Sequence, residues 1–223
     1  MIKLMVFDWN GTLLDDTKVL VDAVNMQLDY MGVPRISVED YREHYSIPIR
    51  ECLHRFGVTD EIYQASSKVG TEIFHREYET LADTASLADG TVDLLHNLKS
   101  RTIENIILSN HIVKEIRRLM VRHDLERFIS NILANDAIGV SDHTGKQHRI
   151  EHFLEINNID PDDAVIIGDT VEEINIGKHL GMKTISLSTG ANSTSRLKNE
   201  HPDLLVDSLR EIIPKMEELG WLQ

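Results

Sequence analysis

Four polar side chains end or interrupt short apolar runs in an order that can assemble a phosphoryl site. Asp8 ends the run Ile2-Lys3-Leu4-Met5-Val6-Phe7, Ser109 ends Ile103 to Leu108, and Asp169 follows Ala164-Val165-Ile166-Ile167-Gly168. Lys146 lies in the polar stretch Gly139 to His148, before a helical pattern. Apolar runs of this length read as buried strands, and in an open parallel sheet ligands bind beyond the carboxyl ends of the strands. Carboxylates at two neighbouring strand ends, Asp8 and Asp169, make a hard oxygen site suited to Mg²⁺, which keeps several waters and takes one or two protein carboxylates beside substrate phosphate oxygens. Ser109 with the amides after it can hold a phosphate oxygen, and Lys146 adds a point charge. Taken singly none of the four is diagnostic, because Asp8 suits a turn, Ser109 an N-cap and Lys146 a solvated surface.

The elements that must position these groups fall into two kinds. Lys18 to Met31 carries Leu20, Ala23, Val24, Leu28 and Met31 at helical spacing and stops at Gly32-Val33-Pro34. Val38 to Tyr45, Arg50 to Phe56 and Asp60 to Leu81 are further predicted helices, and no strand signal lies between Thr17 and Leu81. From Asp89-Gly90 onward helix and strand alternate, the signature of a parallel sheet covered on both faces. The predicted helices are Thr91 to Lys99, Val113 to His123, Ile150 to Asn157, Glu172 to Leu180 and Ser208 to Leu219. The predicted strands are Ile103 to Leu108, Ile129 to Ala134, Ala164 to Ile167, Lys183 to Leu187 and an edge strand, Leu204 to Val206. Gly190 to Asn199 is polar and reads as a mobile loop, and Asp15 and Asp16 read as a cap and a hinge. The fold class is α/β: a doubly wound, Rossmann-like parallel sheet from residues 1–14 and 86–223, with a helical domain, 15–85, inserted after the first strand.

In order and spacing these residues resemble the four motifs of the haloacid dehalogenase superfamily. Asp8-Trp9-Asn10-Gly11-Thr12 matches Asp-x-Asp-Gly-Thr at every fixed position but one, Ser109 and Lys146 match the second and third motifs, and Gly168-Asp169 with Glu173 matches the fourth, with Glu for its last Asp. The helical insert resembles the family's small cap of the C1 type, so the likeness spans the chain. It implies Asp8 as a nucleophile forming an aspartyl-phosphate, and Mg²⁺ held by Asp8, the backbone carbonyl of Asn10 and Asp169. It further implies Ser109, the Asn110 amide and Lys146 as phosphoryl ligands, with Glu173 behind them. Arg50 lies where relatives with such a cap place a substrate contact; pairing with Glu51 or Glu43 on a helix surface fits it equally. Asn10 departs from the pattern, because an amide cannot act as the acid and base that the second Asp supplies, an assistance worth about 10²–10⁴-fold. The resemblance therefore implies a phosphatase of small phosphomonoesters, similar to phosphoglycolate phosphatases, slowed at Asn10. A silent phosphate-binding protein and a phosphotransferase or mutase on the same scaffold are its alternatives.

The totals narrow the partners. A formal charge of −14, from 37 acidic against 23 Lys and Arg residues, argues against a nucleic-acid surface. No apolar run approaches the roughly 18 residues of a membrane span. One cysteine, Cys52, and a strand-like start without a leader predict a cytoplasmic protein without an internal disulfide. A small phosphorylated metabolite is the expected partner, and both a monomer and a homodimer are compatible with the sequence. His148 and His152, four apart, have no third ligand and read as a solvated face.

Overall fold

A computed structural model describes residues 1–137 and 145–222. The chain enters along β1 (Leu4–Phe7), turns, and forms a short β2 (Leu14–Asp15). Four helices follow: α1 (Thr17–Met31), α2 (Val38–His44), α3 (Ile49–Arg55) and α4 (Asp60–Ala82). After β3 (Ser86–Leu87) the chain alternates through α5 (Thr91–Ser100), β4 (Glu104–Ile112), α6 (Val113–Arg122), β5 (Asn131–Asn135) and α7 (Gly145–Ile156). It ends with β6 (Ala164–Gly168), α8 (Val171–Leu180), β7 (Lys183–Leu187), α9 (Thr194–Asn199), β8 (Leu204–Val206) and α10 (Ile212–Glu218).

Six strands pair in the order β5-β4-β1-β6-β7-β8, and every pairing in this sheet is parallel. The fully buried β1 lies between β4 and β6, where the sheet's winding reverses, so the ends of β1, β4 and β6 open on the crevice that such folds use for ligands. Side-chain alternation along β1 feeds two cores. Met5 and Phe7 pack with Leu95, Leu98, Ile116 and Ile212 on one face, and Leu4 and Val6 with Ile106, Ile150, Phe153 and Ile166 on the other. Burial on both faces is why these strands are continuous runs of aliphatic residues rather than alternating ones.

The helices between β2 and β3 have an apolar cluster of their own, built on Val21, Leu28, Tyr41, Leu53, Phe56 and Val58. Local signals set their ends: Gly32 closes α1 in the left-handed conformation, Ser37 and Asp40 form a reciprocal cap on α2, and Thr59 caps α4. The antiparallel pair β2 and β3 gathers the two chain crossings between this block and the sheet.

Three local expectations change. The helix expected from Ile150 begins at Gly145, which places Lys146 in the first turn of α7. The strand expected to stop at Leu108 runs on to Ile112, so Ser109, Asn110 and His111 belong to it. Gly190 to Asn199 is not a free loop: Ala191 and Asn192 are buried, and the segment ends in α9, capped by Ser193. Polarity misled there because Asn192 is satisfied internally, accepting from Val171 N and donating to the Tyr45 carbonyl.

Candidate active site

Asp8 leaves the end of β1 pointing among charged groups with almost no exposure. Its Oδ1 accepts from the Trp9 backbone N at 2.7 Å, and its Oδ2 lies 2.9 Å from Lys146 Nζ. Lys146 is 2% exposed and also reaches Glu173 Oε1 at 2.5 Å and Glu172 Oε2 at 3.8 Å. Burial alone would push this ammonium down, but Asp8, Glu173 and Glu172 outweigh it and hold the lysine firmly protonated. Glu173 is anchored from its other side, because Thr170 donates to Oε2 in the reciprocal cap that starts α8.

Asp169 is fully buried beyond β6. Its Oδ1 accepts from Thr12 Oγ1 at 2.9 Å and its Oδ2 from Ala191 N at 2.5 Å. Two glycines make room for this carboxylate. A Cβ on Gly11, which sits at φ +69°, would lie 2.2 Å from Asp169 Oδ2, and one on Gly190 would lie 2.1 Å from it. Burial, then the neighbouring Glu173, raises the Asp169 carboxyl to about 7, and burial raises Asp8 well above the usual carboxylate range despite Lys146. The cluster thus gathers Asp8, Asp169, Glu172 and Glu173 around one ammonium. Carboxylates this desolvated, four of them around one ammonium, and each oxygen of Asp8 and Asp169 with a second lone pair beyond the single partner named, fit a hard divalent cation. Among the described residues no group of three or more His, Cys, Asp or Glu side chains is arranged as a metal site. A cation here would rest on Asp8, Asp169 and a backbone oxygen such as that of Asn10, with water or substrate completing the shell.

The opposite wall comes from the end of β4. Ser109 Oγ accepts from His111 N at 3.1 Å, which leaves its own hydrogen to donate. The Asn110 side chain donates to Glu172 Oε2, while the Ser109 carbonyl is held by Arg149 and the Asn110 carbonyl by Asn135. Asp8, Asn10, Ser109, Asn110, Lys146 and Asp169, all expected at the site, line one cavity of about 50 Å³. Glu173, expected behind them, stands there as a contact of the Lys146 ammonium. An adjoining cavity of about 340 Å³ shares Tyr45, Lys146, Thr170 and Glu172 with the first and is walled further by Ser46, Ile47, Gln147, Asn175 and Asn192. Arg50 lines neither cavity: it is half exposed, donates to Asp60 at 2.7 Å and lies over the Tyr63 ring, so its ion pair is with Asp60 rather than Glu51 or Glu43.

Residues 5–187 match the family model described as haloacid dehalogenase-like hydrolase. The chain belongs to that family. Among curated relatives, phosphoglycolate phosphatase 1 of Pseudomonas aeruginosa is 24% identical over 216 residues, covering 95% of this chain and 79% of the relative. The phosphoglycolate phosphatase of Psychrobacter arcticus is 23% identical, covering 95% and 94%. A haloacid dehalogenase-like family hydrolase from Streptococcus pneumoniae superposes with a TM-score of 0.81 at 20% identity, over 96% of this chain and 98% of that one. CbbY from Rhodobacter sphaeroides, solved in complex with phosphate, superposes with a TM-score of 0.69 at 19% identity, over 95% and 96%.

Against this family pattern, two residues of the site escape a reading by motif. Asp16 occupies the N-cap position of α1 yet makes no cap bond. Its carboxylate turns back under Asn10, fully buried, and accepts from Asn10 Nδ2 at 2.6 Å, Gly11 N at 2.8 Å and Tyr78 OH at 2.6 Å. Burial lifts it to about 6 against those three donors. Tyr78 arrives from α4, 62 residues away. The consecutive Asp15-Asp16 was the available signal, and only one of the two is exposed. Among the described residues no helix is long and apolar enough to cross a membrane.

Proposed function

We propose that this protein is a Mg²⁺-dependent phosphatase of small phosphomonoesters, working through an aspartyl-phosphate on Asp8. The observation that carries the reading is the convergence of Asp8, Asp169, Ser109 and Lys146 on one small cavity at the reversal point of the sheet. The family match and the names of the curated relatives support it. Bound Mg²⁺, held by Asp8, the Asn10 carbonyl oxygen and Asp169, supplies charge neutralisation between a carboxylate nucleophile and a phosphate dianion. An Asp8 oxygen bonds to phosphorus while the bond from phosphorus to the leaving oxygen breaks, its electron pair departing with the alkoxide. Ser109 Oγ–H, the Asn110 amide and Lys146 hold the equatorial oxygens. The Asn10 amide is not acidic enough to protonate the alkoxide, which takes its proton from a water in the site, so leaving groups of low pKa react fastest. Water then attacks phosphorus, the bond from phosphorus to Asp8 breaks with its electron pair returning to the carboxylate, and the proton of the attacking water goes to an oxygen of the phosphate product. The helical block, residues 15–85, acts as the cap that excludes bulk water and selects the substrate.

The leaving alcohol is best accommodated as an uncharged, hydroxylated group. Among the described residues Lys146 is the only Lys or Arg lining either cavity, and the larger one offers neutral donors and acceptors: Ser46, Gln147 and Asn175. Arg42, Arg196 and Arg149 are near, but each donates to backbone carbonyls. Among the described residues lining the cavities, a glycolate carboxylate meets no Lys or Arg other than Lys146. The test is phosphate release with Mg²⁺ from an aryl phosphate, polyol and sugar phosphates, and phosphoglycolate. Release should be slow, fastest from the aryl ester, lost on chelation and lost in Asp8→Asn; equal release by Asp8→Asn sinks the nucleophile assignment.

A further inference from the structure

Asn10 Nδ2 donates to two acceptors at once, Asp16 Oδ2 at 2.6 Å and Tyr78 OH at 2.7 Å. Tyr78 OH in turn donates to the same Asp16 oxygen at 2.6 Å, closing a triangle, and the second Asp16 oxygen takes the Gly11 N–H. Asp16 and Tyr78 are 0% and 1% exposed, so water has no place in these contacts. The Asn10 amide nitrogen is thereby turned onto Asp16 and Tyr78, and Oδ1 is the side-chain oxygen left to face the cavity that Asn10 lines.

We infer that Asp16 and Tyr78 are positioning residues that fix Asn10 as a neutral hydrogen-bond acceptor in the phosphoryl cavity, and that Asn10 and Asp16 form an exchanged amide–carboxylate pair that functions only as a pair. The inference rests on the phosphatase reading for its kinetic part alone. Its physical core is donor matching. In Asn10→Asp a carboxylate oxygen would face Asp16 Oδ2 across the 2.6 Å contact; the single Tyr78 hydrogen is already given to Asp16, so the two buried carboxylates must either repel or take up an extra proton, a cost the amide at position 10 avoids. Asp16→Asn alone has one oxygen for donors on both sides, so its NH2 is set either against Asn10 Nδ2 and Tyr78 OH or against the Gly11 N–H. Exchanging both restores every bond. The amide now at position 16 would donate to the carboxylate at position 10 and accept from Gly11 N, and Tyr78 would turn its hydrogen to that carboxylate.

The experiment is a double-mutant cycle of Asn10→Asp, Asp16→Asn and the exchange carrying both, read by thermal unfolding of the Mg²⁺-free protein and by hydrolysis of one aryl and one alkyl phosphate with Mg²⁺. Each single variant should unfold several degrees below the parent and the exchange close to it. The exchange should hydrolyse the alkyl ester at least about tenfold faster than the parent, and Asn10→Asp alone should fall short of that gain. Tyr78→Phe keeps the ring against Phe74 and His111 but removes the hydroxyl; it should lower kcat and leave KM unchanged, a split that a packing role alone does not produce. Additive unfolding shifts, or an Asn10→Asp variant as stable and as fast as the exchange, overturn the inference. Absence of hydrolysis in the parent and every variant defeats the phosphatase reading instead, and the unfolding cycle still decides the pairing.

Discussion

Replacing Lys146 by Met removes the one ammonium from a cluster of carboxylates while keeping the stem volume. At an effective dielectric of about 20, two unit charges at the 2.9 Å that separates Lys146 from Asp8 attract by on the order of 6 kcal/mol, and Glu173 is closer still. Most of that attraction offsets the desolvation of the same groups, so the measured loss should be the roughly 3–5 kcal/mol typical of leaving a buried partner unpaired. In a protein of this size that is a fall in Tm of roughly 6–20 °C. Loss of a preorganised contact to the transferring phosphoryl group should independently lower kcat by about 10²–10³. Differential scanning calorimetry with and without Mg²⁺, beside release of an aryl alcohol, measures both. A second variant, Lys146→Met with Glu173→Gln, separates the two effects: removing one orphaned carboxylate should recover part of the stability and none of the turnover. A Lys146→Met protein that unfolds within a degree of the parent and turns over at a comparable rate would refute the charge accounting.

Burial holds the carboxyls of Asp16 and Asp169 at about 6 and about 7, above the value near 4 of an unfolded chain. Between roughly pH 4 and 7 the folded protein therefore binds more protons at these groups than the unfolded one, and their contribution to stability falls as pH rises through that window. If Asp169 ligates Mg²⁺ as proposed, binding needs its ionised form, and the Tm difference between Mg²⁺ and EDTA should widen from pH 5.5 to pH 8; a constant difference contradicts the assignment. Gly190→Ala would set a Cβ 2.1 Å from Asp169 Oδ2, displacing either that carboxylate or the loop. It should cost about 1–3 kcal/mol and abolish the Mg²⁺-dependent rise in Tm, whereas Gly181→Ala, with nothing within 4 Å of its Cβ but φ +82°, should cost stability and leave that rise intact.

The strands were legible because aliphatic runs such as Ala164 to Ile167 have few other uses, and their polar ends fell into a motif order that named Asp8, Ser109 and Asp169. Lys146 was legible by order alone, and its helical setting was not, since Gln147 and His148 mask the start of α7. What stayed hidden was contact across long separations. Asp16 looked like a cap because it stands at a helix start; only the arrival of Tyr78 from α4 shows why its carboxylate turns inward. Arg50 illustrates the reverse case, a cationic side chain in a suggestive place that the fold commits to Asp60.

The polar segment after β7 has a mechanical consequence. Arg42 of α2 donates to the carbonyls of Thr189 and Gly190, and the very next amide, Ala191 N, holds Asp169. Any swing of the helical block away from the sheet must either snap the Arg42 contacts or drag this segment, and with it the grip on Asp169. If the helical block opens to admit substrate and Asp169 holds the cation, as proposed, the two events would be geared to one another through three residues of backbone, and an open site and a well-aimed one would be different moments of one cycle.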